Sequence, residues 1–280
     1  MHLFTKRTIF GIVSAIILFL FIGFYITLTY FQGIPVLNYH QINNLDHNPL
    51  TLSDSEFEAQ IKYLAEEGYT TITPEQLSDY LATGKELPPN PILITFDDGY
   101  KDNFQVAYPI LQKYDFTATI FLISDFVGTY DRYLTWNQVK EMSANGFSFQ
   151  SHTLSHIPLT QCSDTELQNQ LAKSKEALEW HLSKKIEYIA YPCGSYDQRV
   201  IDAVKQAGYR GAFTINLGRD TSNSAAYYLN RIPIFGGSSH TFARFWLRLK
   251  FTQVFNSMQN LKIFLHQKGV TSLSELIYIP

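Results

Sequence analysis

The sequence predicts an α/β fold in which a parallel β-sheet, either doubly wound or closed as a barrel, is preceded by one apolar helix at the N-terminus. From residue 35 onward, short runs rich in β-branched and aromatic residues alternate with amphipathic helical stretches. Six or seven such strand-helix units in a row are typical of a parallel sheet. Before the first unit, residues 9–29 form one long uncharged apolar run.

The N-terminal apolar run is long enough to cross a membrane. At about 1.5 Å per residue, its roughly 21 residues reach about 31 Å, the thickness of a bilayer core. Lys6 and Arg7 precede the run and no lysine or arginine follows it before Lys62, and an excess of basic residues marks the cytoplasmic side. We therefore expect a single-pass protein of the cell membrane with a cytoplasmic N-terminus and an extracellular remainder.

The end of this run decides between an anchor and a signal peptide. Tyr25, Tyr30 and Phe31 occupy its exit side and no small-x-small cleavage site follows, whereas a signal peptide has a shorter apolar run and such a site. The sequence thus predicts a cytoplasmic tip and transmembrane anchor over 1–32 and an exported domain over 33–280. Secretion after cleavage of a signal peptide is the alternative.

Capping residues place the helices of the exported domain. Ser55 and Glu58 match a capping box, as do Thr73 and Gln76. Pro74 suits the first turn of the second helix. The helices predicted in this way cover residues 55–67, 74–83, 103–113, 136–145, 164–181, 198–207 and 241–255.

Runs of β-branched and aromatic residues between these helices predict the strands. They cover residues 70–72, 92–96, 118–123, 147–150, 186–191, 211–215 and 228–234, and the segment 37–40 can form the strand that opens the barrel. Catalytic residues of a parallel barrel gather where its strands end. Polar residues directly after these strands are therefore the candidates for chemistry.

Composition excludes several classes of protein. The formal net charge of −3 argues against a general nucleic-acid binder, which would carry a basic excess. Two cysteines, Cys162 and Cys193, cannot form a disulfide framework. Aromatic residues make up 15% of the chain; their rings suit sugar faces, but they also fill cores.

Two adjacent carboxylates follow the strand at 92–96. The segment Thr95-Phe96-Asp97-Asp98-Gly99 leaves the strand with side chains that point to opposite faces, so a bend at Gly99 is needed for the two acids to converge. One acid could ligate a metal and the other could act as a base. The alternative is that they cap the following helix and form its turn.

Two histidines follow the strand at 147–150. His152 and His156 in Ser151-His152-Thr153-Leu154-Ser155-His156 have the spacing that brings two imidazoles to one face of a helical turn. Two histidines and one carboxylate would leave positions on a divalent ion open for water, as a hydrolytic site requires. Two exposed histidines without a metal are the alternative.

The two motifs together resemble the polysaccharide deacetylases of carbohydrate esterase family 4, the NodB-homology domain, over residues 34–235. TFDDG at 95–99 is followed some fifty residues later by SHTLSH at 151–156. Within that family, PVLNYH at 35–40, YPCG at 191–194 and NRIP at 230–233 make the biofilm poly-N-acetylglucosamine deacetylases the closer resemblance. The resemblance implies a distorted (β/α) barrel.

The resemblance also implies a metal centre and a base. Asp97 would be the general base. Asp98, His152 and His156 would be the metal ligands. The ion would most often be zinc, with nickel or cobalt as alternatives.

The resemblance implies two further groups. The backbone N–H of Cys193 would help to hold the oxyanion. His40 would be the general acid, as in the subgroup whose histidine motif precedes TFDDG. Leu265-His266 is similar to the C-terminal Leu-His of ordinary members, so His266 is the alternative acid.

The chain departs from the family pattern at two places. Cys193 stands where tyrosine is common, and activity should survive because the donor there is a backbone N–H. The ordinary family pairs the base with an arginine where this chain has Ala190 and Tyr191. Arg231 is the expected substitute, and an ordinary salt bridge is the alternative reading of Arg231.

Residues 241–262 contain four basic residues, no acidic residue and many aromatics. This stretch could rest on the anionic surface of a membrane or contact a polysaccharide export machinery. A core or capping helix is the alternative.

The sequence as a whole predicts a metal-dependent N-deacetylase that acts on N-acetylglucosamine units of an extracellular polysaccharide, in particular poly-β-1,6-N-acetylglucosamine. A peptidoglycan N-deacetylase and an O-acetyl esterase on another glycan are alternatives, because the same machinery cleaves related bonds. A glycan-binding protein without catalysis is the alternative from another class.

Overall fold

The computed structural model describes residues 6–30, 33–222, 224–237, 241–277 and 279, and within the first helix it describes the side chains of residues 11–25. Ten strands lie in the described residues. They are β1 Val36–Tyr39, β2 Gln41–Ile42, β3 Thr51–Leu52, β4 Thr70–Thr71, β5 Pro91–Phe96, β6 Thr119–Leu122, β7 Ser148–Ser151, β8 Tyr188–Ala190, β9 Gly211–Leu217 and β10 Leu229–Pro233.

Nine α-helices lie in the same described residues. They are α1 Lys6–Tyr30, α2 Asp54–Glu66, α3 Pro74–Thr83, α4 Tyr108–Lys113, α5 Trp136–Ala144, α6 Asp164–Leu182, α7 Gln198–Gln206, α8 Thr241–Gln267 and α9 Thr271–Glu275.

Seven parallel strands close into a barrel in the described part of the chain. The order is β1-β10-β9-β8-β7-β6-β5, and β1 pairs with β5 as well as with β10. Strand β4 pairs with the start of β5, and β2 and β3 form a separate two-stranded sheet. The predicted parallel α/β fold is therefore confirmed in its closed form, and the doubly wound alternative is wrong.

The inside of the barrel is apolar at the end where the strands begin. The side chains buried together there come from six barrel strands and from α3, which lies under them: Val36, Leu93, Phe121, Tyr188, Phe213, Leu229 and Leu77. A larger cluster fills the layer between the barrel and the outer helices. Because the closed end is packed, the opposite end, where the strands finish, is the one that can hold a site.

The first predicted capping box is wrong by two residues. The N-cap of α2 is Ser53, whose hydroxyl accepts from the N–H of Glu56 while the Glu56 side chain accepts from the N–H of Ser53. The sequence contains two overlapping Ser-x-x-Glu pairs, and Glu58 instead pairs with Lys113. The two Ser-x-x-Glu pairs are equivalent as local patterns, and the long-range contact of Glu58 with Lys113 distinguishes them.

The helix predicted over 103–113 is irregular. Its first turn, Asn103–Ala107, is a π-helix, and the α-helix α4 begins at Tyr108. Pro109 has no N–H with which to continue the α-helical ladder, and the N–H of Tyr108 reaches the carbonyl of Asn103. The last predicted helix is longer than expected, since α8 continues to Gln267 with a kink at Phe251.

Helix α1 covers the apolar N-terminal run. Among the residues that the structure describes, no helix is both long and apolar enough to cross a membrane. The described side chains of α1 are exposed, and the ring of Phe24 stacks on Phe251 of α8 with centroids 5.5 Å apart. Residues 1–5 and 31–32 of the predicted anchor region lie outside the described residues.

Candidate active site

The polar residues singled out in the sequence converge at the end of the barrel where its strands finish, which we call the mouth. Asp97 and Asp98 follow β5, His152 follows β7, and Arg231 lies in β10. All four side chains are buried. His40 follows β1 and His156 follows His152 in the same loop, and both are partly buried.

Asp97 forms a buried ion pair with Arg231. The two guanidinium nitrogens Nη1 and Nη2 donate to Oδ1 and Oδ2 of Asp97 at 2.7 and 2.8 Å. Nε of Arg231 donates to the carbonyl oxygen of Thr214 at 2.8 Å, and its guanidinium lies over the ring of Phe121. This bidentate geometry fixes the carboxylate in one orientation.

Burial alone would raise the pKa of Asp97, but the charge of Arg231 and its hydrogen bonds to the carboxylate are the main opposing effects, and this pKa lies well below its usual range. Asp97 is therefore ionised at neutral pH. The expected pairing of Arg231 with the acid of the TFDDG motif is found in the structure, although the residues lie 134 positions apart.

Asp98, His152 and His156 face one another at the mouth. Oδ1 of Asp98 lies 3.5 Å from Nε2 of His152 and 3.4 Å from Nε2 of His156. The candidate ligand atoms of the three residues lie within 4.8 Å of one another. Among the described residues, Oδ1 of Asp98 is buried and has no hydrogen-bond partner.

These contacts are not ion pairs, because both imidazoles are neutral. Burial lowers the pKa of His152 to about 3 and also lowers the pKa of His156. Burial also raises the pKa of Asp98 to about 6, with the charge of Asp97 adding to the rise. Neutral imidazole is the form that ligates metal ions.

The tautomer of His152 completes the argument for a cation. Its Nδ1 lies 2.9 Å from the carbonyl oxygen of Ala190, so Nδ1 carries the proton and the lone pair of Nε2 points towards Asp98. The lone pair of His152, a ring nitrogen of His156 and a carboxylate oxygen then face one point, where a bound cation would be attracted by all three. The three residues fit a divalent metal ion that prefers nitrogen and oxygen ligands.

The loop that carries the two histidines is not the helical turn that their spacing predicts. Thr153 and His156 both adopt positive φ angles, 69° and 61°, and the segment between them is not helical. Gln170 of α6 holds this loop, since its Oε1 accepts from the N–H of Ser155 and its Nε2 donates to the Ser155 hydroxyl. The imidazoles meet because of this external support.

The two candidate general acids lie in different places. Nε2 of His40 is 3.9 Å from Oδ2 of Asp97, and the carbonyl oxygen of His40 accepts a hydrogen bond from Asn103 at 2.8 Å. His266 instead lines a cleft of about 640 Å³ together with Ile215 and Phe235. The structure thus brings His40, and not His266, to the carboxylate of Asp97.

Cys193 lies at the mouth in an unusual backbone conformation. Its φ angle is 55° and that of Gly194 is 65°, so two successive residues are left-handed in the turn Pro192–Gly194 after β8. A Cβ on Gly194 would lie 2.5 Å from the side chain of Ile215, so glycine is required there. The bend after β5 likewise includes Asp98 itself, with φ 73°, as well as Gly99.

Three supporting residues were not singled out in the sequence. Gln170 holds the histidine loop, Asn103 holds the backbone of His40, and Tyr100 lies close enough to the Asp98 carboxylate to act on its pKa. Gln170 carries no local signal, because its role depends on a contact with a distant loop. Tyr100 could have been noticed, since it lies two residues after Asp98.

Comparison with known proteins identifies the family. A family model described as polysaccharide deacetylase matches residues 84–212. YxkH of Bacillus subtilis (strain 168), named as a candidate polysaccharide deacetylase, is 37% identical over 206 residues, which cover 74% of this chain and 73% of that protein. The chain therefore belongs to the polysaccharide deacetylase family, and the resemblance drawn from its motifs is confirmed.

Two further relatives have names that state an activity. A poly-beta-1,6-N-acetyl-D-glucosamine N-deacetylase of Staphylococcus aureus (strain MSSA476) is 32% identical over 197 residues, covering 66% of this chain and 68% of that protein. The solved structure of Streptococcus pyogenes deacetylase PplD in complex with acetate is 32% identical, with a TM-score of 0.70, and covers 73% of this chain and 93% of that chain. The protein is thus an enzyme of the deacetylase family with the fold of a known deacetylase.

Proposed function

We propose that this protein is a metal-dependent N-deacetylase that hydrolyses the acetamido groups of N-acetylglucosamine units in an extracellular polysaccharide, namely poly-β-1,6-N-acetylglucosamine. The observation that carries the proposal is the arrangement at the mouth, where three converging acceptors lie beside an ionised carboxylate. The similarity to the staphylococcal enzyme supports the choice of polymer.

Asp98, His152 and His156 would hold the ion, which we propose to be Zn²⁺ because two imidazoles and one carboxylate are ligands typical of catalytic zinc. When bound, a divalent cation polarises the acetamido carbonyl and lowers the pKa of a water molecule. The hydrogen bond from His152 to the Ala190 carbonyl keeps one imidazole oriented towards the site.

The remaining residues of the mouth carry the protons. Amide hydrolysis requires that the attacking water lose a proton and that the departing amine gain one. Asp97 can accept the first, because Arg231 keeps its carboxylate ionised and oriented. His40 can donate the second to the amine, and the N–H of Cys193 can donate a hydrogen bond to the developing oxyanion.

The proposal is tested by measuring acetate release from β-1,6-linked and β-1,4-linked N-acetylglucosamine oligomers, peptidoglycan fragments and acetylated xylan. We expect the highest kcat/KM on the β-1,6-linked oligomers, and abolition of that activity by a chelator with recovery on adding Zn²⁺. A preference for acetylated xylan would show an O-acetyl esterase. Binding of a glycan without acetate release from any substrate would contradict catalysis altogether.

We also propose that α1 anchors the enzyme in the cell membrane with its N-terminus in the cytoplasm and the deacetylase domain outside. Residues 9–29 are uncharged, and the described side chains of α1 are largely exposed, with Phe19 at 78% and Leu20 at 65%. Apolar surface of this extent needs a lipid or protein cover. Helix α8 contacts α1 and carries basic residues, and we propose that it meets anionic lipid headgroups or export machinery.

Protease treatment of intact cells tests the anchor. We expect the deacetylase domain to be released while α1 stays in the membrane fraction. A mature chain whose N-terminal sequence begins after residue 29 would contradict the proposal and favour secretion after signal cleavage.

A further inference from the structure

Four aromatic rings lie beside the mouth in a continuous group, which we call the aromatic shelf: Tyr100, Phe126, Tyr130 and Tyr133. The ring of Tyr100 stacks on Tyr133 with centroids 5.1 Å apart. Phe126 meets Tyr133 at 4.9 Å and Tyr130 at 5.1 Å, edge to face in both pairs. The deacetylation chemistry described above does not use any of the four rings.

The shelf is joined to the metal-ligand turn by hydrogen bonds. The N–H of Leu134 donates to the carbonyl of Gly99 at 2.9 Å, and the N–H of Lys101 donates to the carbonyl of Arg132 at 2.8 Å. Tyr100 and Tyr133 also pair as an antiparallel β-bridge. The loop that carries the shelf is therefore fixed in position relative to Asp98.

One ring of the shelf faces solvent. Tyr130 is 55% exposed, whereas Tyr100, Phe126 and Tyr133 are partly buried. Tyr100 and Tyr133 cover each other's faces, and Arg132 lies over Tyr100. Tyr130 is therefore the ring of the shelf that is most accessible to a ligand, and its contacts with Phe126 and Tyr133 limit its movement.

An exposed, supported aromatic ring next to the site of a polysaccharide deacetylase matches the chemistry of a sugar. One face of a hexose presents C–H groups, which pack on an aromatic face, while its hydroxyls stay in water. A polymeric substrate extends beyond the unit being deacetylated, and Tyr100 and Tyr133 separate Tyr130 from Asp98. Because two rings lie between Tyr130 and Asp98, Tyr130 would meet a neighbouring sugar unit of the substrate and not the unit that reacts.

We propose that Tyr130, supported by Phe126 and Tyr133, forms a sugar-stacking subsite that binds a unit of the polysaccharide substrate beyond the reacting one. The proposal rests on the proposed function for the identity of the sugar, N-acetylglucosamine. It makes Tyr130 a residue for recognition of polymer length, with no part in the bond-breaking step.

Kinetics on oligomers of different length test the subsite in the purified full chain. For Tyr130→Ala, we expect KM to rise about fivefold to tenfold on an N-acetylglucosamine pentamer, the range that one aromatic contact typically contributes. We expect kcat on the pentamer and kcat/KM on the dimer to stay within twofold of the wild-type values. Tyr130→Phe keeps the ring and should keep the wild-type KM.

Trp180→Ala is the matched control, because Trp180 is 76% exposed at the C-terminal end of α6, away from the mouth. It should leave KM unchanged for every length. An equal loss on dimer and pentamer in Tyr130→Ala, or an unchanged KM on the pentamer, would overturn the subsite.

Migration through a gel that contains partly deacetylated poly-N-acetylglucosamine separates this proposal from the proposed function, because it requires no turnover. We expect the wild type and Tyr130→Phe to be retarded, and Tyr130→Ala to be retarded less. Retardation of the wild type without acetate release would remove the proposed function and leave the subsite standing. Equal retardation of the wild type and Tyr130→Ala would overturn the subsite.

Discussion

The two ends of the barrel each bury an aspartate, but the pKa of the carboxyl group is lowered at one end and raised at the other. At the mouth, Asp97 accepts two hydrogen bonds from the buried guanidinium of Arg231, which outweigh the effect of burial and keep its pKa well below the usual range. At the closed end, Asp220 pairs its backbone with Ile34 and accepts hydrogen bonds from the uncharged Asn230. Burial there raises the pKa of Asp220 to about 6.

The difference shows what each end is built to do. A carboxylate that must accept a proton has to stay ionised inside a buried site, and this requires a cation that is itself held in place. A carboxyl group that only joins two loops can be buried without a cation, and it then keeps its proton up to a higher pH, about 6 for Asp220. Asp97 at the mouth is therefore kept charged so that it can accept a proton. Asp220 at the closed end instead titrates at a pH where its protonation affects stability.

Removing a ligand at the mouth should have the largest effect and leave the closed end unchanged. We expect His152→Ala to lose the bound ion, about one per chain in the wild type, and with it nearly all deacetylase activity. Elemental analysis of the purified protein checks the first expectation and acetate release the second. His181→Ala, on α6, is the control, and undiminished metal in His152→Ala would contradict the assignment of ligands.

Removing a proton carrier at the mouth should lower turnover without affecting the ion. General acid catalysis typically contributes about 10² to 10⁴-fold, so we expect His40→Ala to lose kcat on that scale and to retain its metal. His266→Ala should be mild, because His266 lines a different cleft. If His266→Ala removes activity and His40→Ala keeps most of it, His266 is the acid and the placement among biofilm deacetylases fails.

Breaking the ion pair would make the mouth resemble the closed end, with a buried aspartate and no cation. We expect Arg231→Met to lower the free energy of unfolding by about 3 to 5 kcal/mol, because Asp97 is left buried without its partner. The double variant Asp97→Asn with Arg231→Met should recover part of this loss. Urea unfolding of the wild type, both single variants and the double variant measures the coupling, and additive effects would show that the pair is not coupled.

Local sequence patterns predicted the ends of the outer helices more accurately than the backbone conformation at the mouth. Thr73 with Gln76 forms the capping box that the sequence predicts. The structure shows a second box of the same kind, Thr135 with Gln138, and each box involves residues three positions apart. The exception, Ser53 in place of Ser55, arose where two identical local patterns overlapped. Helix ends can be read from sequence because the energy that fixes them is local.

At the mouth, the sequence predicted residue types and not the path of the chain. Asp98, Thr153 and His156 adopt left-handed φ angles, which non-glycine residues avoid at a cost of about 1 to 2 kcal/mol each. Contacts from distant parts of the chain hold them, such as that of Gln170 with Ser155. No spacing rule contains such contacts, so the helical turn predicted for the two histidines was wrong although the convergence of their rings was right.

The smallest expected effect is a dependence of stability on pH that arises at the closed end. The pKa of Asp220 is about 6 in the folded protein against an ordinary value of 3.8, so between these pH values the folded state holds a proton that the unfolded chain has released. Stability must therefore fall as pH rises through this window, by at most about 3 kcal/mol, and then remain constant as far as this group is concerned.

The variant Asp220→Asn tests this dependence, because it keeps an oxygen that can accept from Asn230 and removes the titration. We expect the difference in unfolding free energy between Asp220→Asn and the wild type to grow from pH 4 to pH 6 in favour of the variant, while Asp202→Asn, at an exposed position on α7, follows the wild type. A difference that stays constant with pH would show that Asp220 is ionised in the folded protein, and the contrast between the two ends of the barrel would then fail.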